Sequence, residues 1–285
     1  MRRFLLRRLL LLLPILWGVA TGVFLLIHLI PGDPVEIMLG ETALPAARAA
    51  LRARRRLDQP LFTQYGLFLS GLARGDLGRS VVTQECVAGI IFRTLPATME
   101  LAAAGLVVAL LLALSLGTVA AVFAGRLTDR AAMGAALVGL SVPNFVLGPL
   151  LILAFAIGTG TFPVSGREGA ASVVLPAITL GLALAGILSR MTRASLLEVL
   201  TREFVTAARA RGLPERRVLL RHALRNAAIP ILTVLGLQAG ALLSGAIITE
   251  TIFSWPGLGR LTLQAIQSRD FPLVQGCVLT IAAIY

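Results

Sequence analysis

The stretch "LAAAGLVVALLLALSLGTVAAVFA", residues 101–124, holds 24 consecutive residues without a charged side chain. A helix needs about 20 such residues to cross a hydrocarbon layer of roughly 30 Å. Hydrophobic residues make up 57% of this 285-residue chain, and its mean hydropathy is +0.88. These features predict an all-α integral membrane protein. Other uncharged stretches occupy residues 9–30, 131–157, 169–189 and 227–249, and a shorter one occupies residues 273–285, where we expect a truncated sixth span.

The arginines predict which ends of the spans face the cytoplasm. If the N-terminus is inside, residues 126–130 and 190–226 are inside as well. Together with the N-terminal residues 1–8, these segments hold 15 of the 26 basic residues but only 4 of the 14 acidic residues. Positive charge favours cytoplasmic loops. We therefore expect a multi-pass protein with a cytoplasmic N-terminus, and residues 1–30 as a retained first helix rather than a cleaved signal peptide. The net charge of +12 belongs to these loops and does not indicate a nucleic-acid partner.

The missing residue types exclude several chemistries. Every basic residue is arginine, so the chain lacks the lysine that a Walker phosphate-binding loop or a Schiff base requires. The soft metal ligands are far apart in the sequence, and we predict neither a metal site nor a disulfide framework from them. They are His28, His222, Cys86 and Cys277.

The polar residues in the spans disfavour two further classes of protein. An intramembrane hydrolase would need a histidine near Ser115, Ser141 or Ser244, and the spans that carry these serines contain none. An ion-coupled transporter usually has carboxylates near the membrane midplane, whereas Glu100 and Glu250 are at span ends. We therefore expect a pathway with few charges that is driven from elsewhere. A secondary transporter or channel is the alternative, and an intramembrane enzyme comes third.

Residues 31–95 predict a helical excursion on the outer side. Residues 45–58 have a helical composition, and residues 59–78 have the pattern of an amphipathic helix that ends at glycines. Two interpretations stay open, a lid on the membrane surface and a contact for a substrate or partner.

The cytoplasmic segment 190–226 predicts two helices with a chain reversal between them. Gly212 suits the reversal and Pro214 suits the first turn of the second helix. That second helix, over residues 214–226, is expected to be short and amphipathic and to lie across the cytoplasmic surface. Its arginine stripe and the small residues before the reversal fit either a headgroup anchor or a docking element for another protein. They are Arg217, Arg221 and Arg225, and Ala207, Ala208 and Ala210.

The same segment resembles the cytoplasmic "EAA…G…I-x-L-P" loop of the permease subunits of bacterial ABC importers. Ala207, Ala208, Gly212 and Leu224 match the pattern, whereas Thr206, His222 and Arg225 replace its glutamate, isoleucine and proline. The dipeptide, oligopeptide and nickel permease branch is similar along almost the whole chain. The similar stretches, in order, are "RRLLLLLPILWGV", "LIPGDP", "LDQPLFTQYG", "GDLGRS", "LPATMELA", "SVPNFVLG", "TRASLLEVL", "ETIFSWPGLGR" and "RDFPLVQG".

The resemblance implies a type I importer fold in the bacterial inner membrane, with residues 96–285 as the permease core. It also implies a homologous second permease, two cytoplasmic ATPases that bind ATP and magnesium, and an external solute-binding protein. The chain itself would be non-catalytic and without a cofactor, and peptides would be the first solute, before nickel chelates and glutathione. The residues that would couple it to an ATPase are Thr206, Ala207, Ala208, Gly212, Pro214 and Leu224.

Candidate residues for the solute path and its outer gate are few. Pro143 is expected to loosen the third span, and Asn144 beside it is a polar side chain at membrane depth. In the fifth span Gln238 and Ser244 are the polar candidates, for which path lining and helix packing both remain open. For the outer gate or a contact with the binding protein we expect Glu100, Glu250 and Trp255, the last as an interfacial anchor.

Overall fold

The computed structural model describes residues 2–29, 46 and 58–285. The part of the chain that it describes is helical, without a named strand. Residues 30–45 and 47–57 are outside it, so the helix expected over residues 45–58 lies almost entirely outside the described residues. The helices, in chain order, are α1 (Arg2–Leu29), α2 (Leu61–Ala73), α3 (Val87–Val122), α4 (Leu127–Ser141), α5 (Asn144–Leu151), α6 (Val174–Leu200), α7 (Glu203–Ala210), α8 (Leu224–Ile252), α9 (Leu258–Gln267) and α10 (Phe271–Ile284).

Two compact units divide the chain, Met1–Pro96 with Leu261–Tyr285 as the first and Ala97–Arg260 as the second. The expected bounds of the outer excursion and of the permease core, residues 31–95 and 96–285, stay predictions. Within the first unit α10 contacts α1.

In the first unit a buried carboxylate ties the start of α10 to the loop before α3. Asp270 accepts hydrogen bonds from the Ser80 hydroxyl, from the Val81 amide at 3.0 Å and from the Leu273 amide at 3.4 Å. Elsewhere in this unit the Thr21 and Tyr65 hydroxyls lie 2.7 Å apart and join α1 to α2. The helix expected within residues 59–78 is confirmed as α2, which ends shortly before Gly75.

In the second unit α6 is the central helix and packs against α4 and α8. Small residues also let α6 approach α3 closely. A Cβ atom at Gly117 would lie 2.6 Å from the Thr192 Cβ, and one at Gly181 would lie 2.8 Å from the Gly105 carbonyl oxygen. Glycines thus permit the close approach of α3 and α6, and large buried side chains such as Leu101, Leu188 and Trp255 fill the apolar cluster beside them.

Among the described residues four helices are long and apolar enough to cross a membrane, or five if a bent pair is one span. The expected spans at residues 9–30, 101–124, 169–189 and 227–249 each fall mainly within a helix, but these helices are longer than the apolar stretches. The stretch expected as the third span, residues 131–157, consists of α4 and α5 with a bend of 101° between them, at Val142 and Pro143.

The reason for the break is local. Proline disfavours the helical conformation in the residue before it, and Val142 is extended at φ −86° and ψ 116°. Pro143 then accepts hydrogen bonds from the amides of Val146 and Leu147 and so begins α5. After α5 the chain continues through a π-helical turn, Ile152–Ile157. The expected loosening at Pro143 is confirmed.

Candidate functional site

The segment expected to couple the permease to an ATPase forms a compact structure, which we call the α7–α8 segment (residues 201–223). The inner face of α7 buries Val205 and Ala208 against Val218, which follows the turn. Leu213 is partly buried in the same cluster. The segment therefore has its own small apolar core, and this core fixes α7 relative to the start of the next helix.

Gly212 ends α7 in a Schellman motif. Its φ is +74°, its amide donates to the Arg209 carbonyl at 2.9 Å, and the Leu213 amide donates to the Ala208 carbonyl at 3.4 Å. This pattern needs a left-handed residue, which glycine adopts without strain. A Cβ atom at Gly212 would meet nothing within 4 Å. Within this chain the glycine is therefore needed for its backbone conformation, and the space beside it is open.

Pro214 lies just before the second helix, which therefore begins one residue later than expected, at Glu215. It is the N-cap residue, extended at φ −65° and ψ 140°, and its carbonyl accepts from the amides of Arg217 and Val218. The expected short, separate helix over residues 214–226 is wrong. A helical turn at Glu215–Arg217 and a π-helical turn at Val218–Ala223 lead directly into α8, so the amphipathic stretch is the beginning of the fifth span's helix.

An ion pair closes over the Gly212 turn. The Arg209 guanidinium donates to the Glu215 carboxylate with Nη2–Oε1 at 2.5 Å and Nε–Oε2 at 3.1 Å. This hydrogen bond raises the pKa of the Arg209 guanidinium above its ordinary value. Both side chains are largely exposed, so the pair contributes about 0–1 kcal/mol to stability. The pair links the end of α7 to the residue that follows Pro214.

The outer face of the α7–α8 segment carries most of the expected coupling residues. Thr206, Ala207, Gly212 and Pro214 are exposed. Ala208 faces inward, and Leu224 is half-buried in a different cluster with Ala223 and Ala227. These last two positions support the segment and are not part of its exposed face. The arginine stripe expected along the second helix is confirmed as exposed; its members are Arg217, Arg221 and Arg225.

Sequence reasoning missed Phe204, which is 41% exposed on α7. Large aromatic side chains in a short polar helix usually pack inward, yet here Val205 and Ala208 fill that role. Phe204 precedes Thr206 and Ala207 by two and three residues, and this spacing could have drawn attention to it. An exposed aromatic residue beside small residues is a typical anchor for a protein contact.

A second candidate site lies at the far end of α8, where we define the Glu250 cluster as Thr98, Glu250, Leu258 and Arg260. The Thr98 hydroxyl donates to Glu250 Oε1 at 2.7 Å and accepts from the Leu258 amide at 2.6 Å. The Arg260 amide donates to Glu250 Oε2 at 2.9 Å. The Glu250 side chain is fully buried. It therefore holds the chain between α8 and α9 by accepting from groups that would otherwise be unpaired.

The positions of Glu250 and Trp255 differ from expectation. Trp255 is fully buried in the main apolar cluster and its Nε1 donates to the Ala97 carbonyl at 2.8 Å, so its expected interfacial position is wrong. Glu250 is enclosed by Gly257 and Gly259, where added Cβ atoms would collide with its carboxylate. In this structure neither side chain is available for direct contact with a partner.

Glu100 is the exposed member of the expected outer group. Its carboxylate accepts from Arg167 at 2.8 Å and 2.5 Å, and both side chains are 42% exposed. The Arg167 guanidinium also lies 5.9 Å from the centre of the Trp255 ring. Glu100 and Arg167 therefore form a polar surface pair directly over the buried tryptophan.

The expected path residues are only partly described. Asn144 is in the first turn of α5, and its Oδ1 is buried without a hydrogen-bond donor among the described residues. Gln238 is half-buried on α8, and the Ser244 side chain lies outside the described residues. Among these candidates, Asn144 therefore has a buried amide oxygen that lacks a hydrogen-bond donor in the described part of the chain.

Sequence reasoning also missed the ion pair between α4 and α6. The Arg193 guanidinium donates to both Asp129 oxygens, each at 2.7 Å, and the Gly125 amide donates to the same carboxylate at 2.8 Å. The acidic residue in the first turn of α4 was the available signal, because carboxylates favour helix N-termini. Its arginine partner is 64 residues away in the chain and could not be identified from spacing.

Comparison with protein families assigns both parts of the chain. Residues 113–285 match the family described as "Binding-protein-dependent transport system inner membrane component". Residues 1–102 match its N-terminal companion, "Binding-prot-dependent transport system membrane comp, N-term". The first match alone covers more than half of the chain.

Curated relatives align over 98–100% of the chain. The di/tripeptide transport system permease protein DppB of Pseudomonas aeruginosa (strain UCBPP-PA14) is 42% identical, with 100% of this chain and 93% of the relative covered. The dipeptide transport system permease protein DppB of Escherichia coli (strain K12) is 40% identical with the same coverage. The glutathione transport system permease protein GsiC of the same strain is 40% identical, with 98% and 91% covered.

Two solved structures share the fold. One shows inward facing conformations of the MetNI methionine ABC transporter, with a TM-score of 0.54, 19% identity, and 69% of this chain and 91% of that chain covered. The other is an amino acid ABC transporter with histidines, with a TM-score of 0.51, 19% identity, and 70% and 86% covered. The helices thus have the type I importer fold, and the chain belongs to the family of inner-membrane components of binding-protein-dependent transport systems, as an ABC permease.

Proposed function

We propose that this chain forms half of the translocation path of an ATP-driven importer for short peptides, with glutathione as the second solute of the same class. The observation that carries the proposal is the 40–42% identity over 98–100% of the chain to permeases named for di/tripeptide, dipeptide and glutathione transport. These solutes share an amide backbone and charged termini. Nickel chelates stay a weaker prediction.

Energy enters through partner subunits in this proposal. The chain has no lysine for a Walker loop, so two cytoplasmic ATPases would bind ATP and magnesium. One of them would contact the exposed face of α7, with Phe204 as the central apolar anchor and the space beside Gly212 admitting a close approach. The apolar core of the segment would make α7 move as one piece with the start of α8.

The solute path would run past the break between α4 and α5. A buried amide oxygen without a donor is costly unless a polar group reaches it, and water or a passing peptide amide would supply one to Asn144. A homologous second permease would form the other half of the path. An external binding protein would deliver the solute, and Glu100 with Arg167 offers an exposed polar pair of opposite charges for such a contact.

The orientation belongs to the same proposal. The arginine distribution favours a cytoplasmic N-terminus, which places the α7–α8 segment inside and the Glu250 cluster at the outer end of α8. A cysteine-accessibility experiment at Arg217 and Glu100 would check this in a background with Cys86→Ser and Cys277→Ser. Arg217→Cys should be labelled only from the inside and Glu100→Cys only from the outside. The reverse pattern would refute the orientation.

Uptake of a radiolabelled dipeptide and of glutathione in proteoliposomes tests the function. The complete transporter, with its binding protein, is expected to accumulate at least one of them only when ATP is inside with the ATPases. Removal of the Walker lysine from a partner ATPase should abolish uptake. Uptake that persists without that lysine but follows a proton or sodium gradient would instead indicate a secondary transporter.

Phe204→Ala tests the contact with the ATPase. Loss of an aromatic anchor weakens a protein interface by about 2 kcal/mol or more, or about thirtyfold in the dissociation constant. We expect less ATPase to co-purify with the variant and solute-stimulated ATP hydrolysis to fall. Phe62→Ala is the control, because Phe62 is 87% exposed on α2 and outside the segment. Equal co-purification of ATPase with wild type and Phe204→Ala would rule out the anchor role.

A further inference from the structure

A cavity of about 400 Å³ lies between α4 and α6 and is not part of the proposed coupling contact or solute path. Three arginines line it together with apolar residues from the same two helices. Its main lining residues are Arg130, Met133, Leu137, Gly186, Arg190 and Arg193. The cavity therefore combines a strongly basic part with an apolar part.

The basic part carries excess positive charge. Arg193 is held by both oxygens of Asp129, so that one of the three guanidinium charges is neutralised locally. Arg130 and Arg190 are exposed and have no ion-pair partner among the described residues. The cavity therefore presents about two uncompensated guanidinium groups, each with several N–H donors suited to phosphate oxygens.

The helix register separates the basic and apolar parts by depth. Arg130 is in the first turn of α4, and Met133 and Leu137 follow one and two turns further along the same face. On α6 the small Gly186 lies one turn before Arg190. The two arginines thus lie at the polar ends of the spans, and the apolar wall extends from them into the hydrocarbon region.

The walls of the cavity are held firmly. A Cβ atom at Gly186 would lie 2.6 Å from the Ala136 carbonyl oxygen, so that the backbones of α4 and α6 approach closely below the arginines. The Asp129–Arg193 pair fixes the same helices at the polar end. The arrangement of the arginines is therefore set by two independent contacts.

We propose that this cavity binds an anionic phospholipid, with Arg130 and Arg190 donating to the headgroup phosphate and Met133 and Leu137 contacting an acyl chain. Basic pockets between transmembrane helices at the polar surface suit lipid headgroups. A free inorganic anion would use the arginines but would gain nothing from the apolar wall. The proposal requires only that the chain spans a membrane and is independent of the transported solute.

The test is a lipid titration of the full chain, purified in complex with its partner subunits and followed by native mass spectrometry. The probes are dioctanoylphosphatidylglycerol and, as the zwitterionic comparison, dioctanoylphosphatidylcholine. Each arginine near an anionic headgroup strengthens binding by about fivefold. We therefore expect Arg130→Gln and Arg190→Gln each to weaken phosphatidylglycerol binding by about fivefold, and the double variant by about thirtyfold.

The matched control is the double variant Arg74→Gln with Arg269→Gln, which removes the same charge from exposed positions that neither line the cavity nor belong to the α7–α8 segment. It should bind phosphatidylglycerol like wild type. Equal loss in both double variants, or equal binding of the two lipids by wild type, would overturn the proposal. Displacement of the lipid by millimolar inorganic phosphate would show a free-anion site and overturn the lipid assignment as well. The single variants, which change one exposed side chain each, keep the test valid if the double variant is unstable.

Discussion

Replacement of Gly212 by alanine should loosen α7 without affecting the rest of the second unit. At φ +74° a Cβ atom has no steric neighbour within 4 Å, so the penalty comes from the backbone conformation alone. A left-handed conformation costs an L-residue about 1–2 kcal/mol. The equilibrium for opening of the Schellman motif should therefore shift by about fivefold to thirtyfold. Asparagine tolerates this conformation better, and Gly212→Asn should shift it less.

Hydrogen exchange measured by mass spectrometry on the reconstituted transporter is the direct assay. Amides of α7 and Leu213 should exchange faster in Gly212→Ala by the same factor, because local opening exposes them. Solute-stimulated ATP hydrolysis and uptake should fall in the same order, with Gly212→Asn between alanine and wild type. Gly160→Ala is the matched control, since Gly160 has φ +64° and equally open surroundings in a different turn.

Two results would refute this reasoning. If Gly212→Ala and Gly160→Ala left α7 exchange equally unchanged, the positive φ at Gly212 would not be what holds the segment. If α7 exchange rose in Gly212→Ala while uptake and its ATP requirement stayed normal, the segment would not transmit energy to the spans. The second result would remove the coupling role and leave the local structural account intact.

Two of the buried carboxylates, Glu250 and Asp270, give two further predictions. Glu250→Ala leaves the Thr98 hydroxyl and the Arg260 amide without their acceptor and should destabilise the second unit by about 3 kcal/mol. Its control, Glu100→Ala, removes an exposed ion pair that contributes about 0–1 kcal/mol. Equal melting temperatures for the two variants would contradict this prediction. Asp270→Ala removes the acceptor that holds the loop before α3, so trypsin should cleave after the exposed Arg79 faster than in wild type. Glu85→Ala, a change in the same loop at an exposed ion pair, should leave that cleavage rate unchanged.

The spans could be predicted from the sequence because a membrane imposes a length of apolar helix that is visible in a single stretch. Their ends could not, because α3 and α6 continue beyond their apolar stretches, and the uncharged run marks only part of each helix. The break at Pro143 could be predicted from the sequence, because proline disfavours the helical conformation in the residue before it. The bend angle of 101° depends on tertiary packing and could not be predicted from the sequence.

The turn at Gly212 could also be anticipated, because glycine and proline carry local backbone signals. The role of Glu250 was different. A carboxylate at the end of a span was expected to face outward, but it faces the backbone amides that follow α8, and its Thr98 donor is 152 residues away. Burial of this kind depends on a partner that no local pattern reveals. The same reason explains why Trp255, typical of an interface by type, is in the core.

The helix that begins at Glu215 connects the two candidate sites of the second unit. It continues through the π-helical turn and α8 to Ile252, a length of about 55 Å at 1.5 Å per residue. One end is fixed to α7 by the core around Val205 and Val218, and the other is fixed through Glu250 to Thr98. A displacement of α7 by an ATPase must therefore either move the Glu250 end or be absorbed within the helix. Pro230, which lacks an amide hydrogen, is the built-in weak point between them.

Pro230→Ala distinguishes these two outcomes. The substitution restores the missing amide and removes the cost of about 3 kcal/mol that a proline carries in a helix interior, so it should stiffen the helix. If bending at Pro230 is needed for transport, uptake should fall while ATPase binding and α7 hydrogen exchange stay at wild-type values. Unchanged or faster uptake would show that the helix acts as a rigid lever, and the Glu250 cluster would then be the point at which movement reaches the outer end of the path.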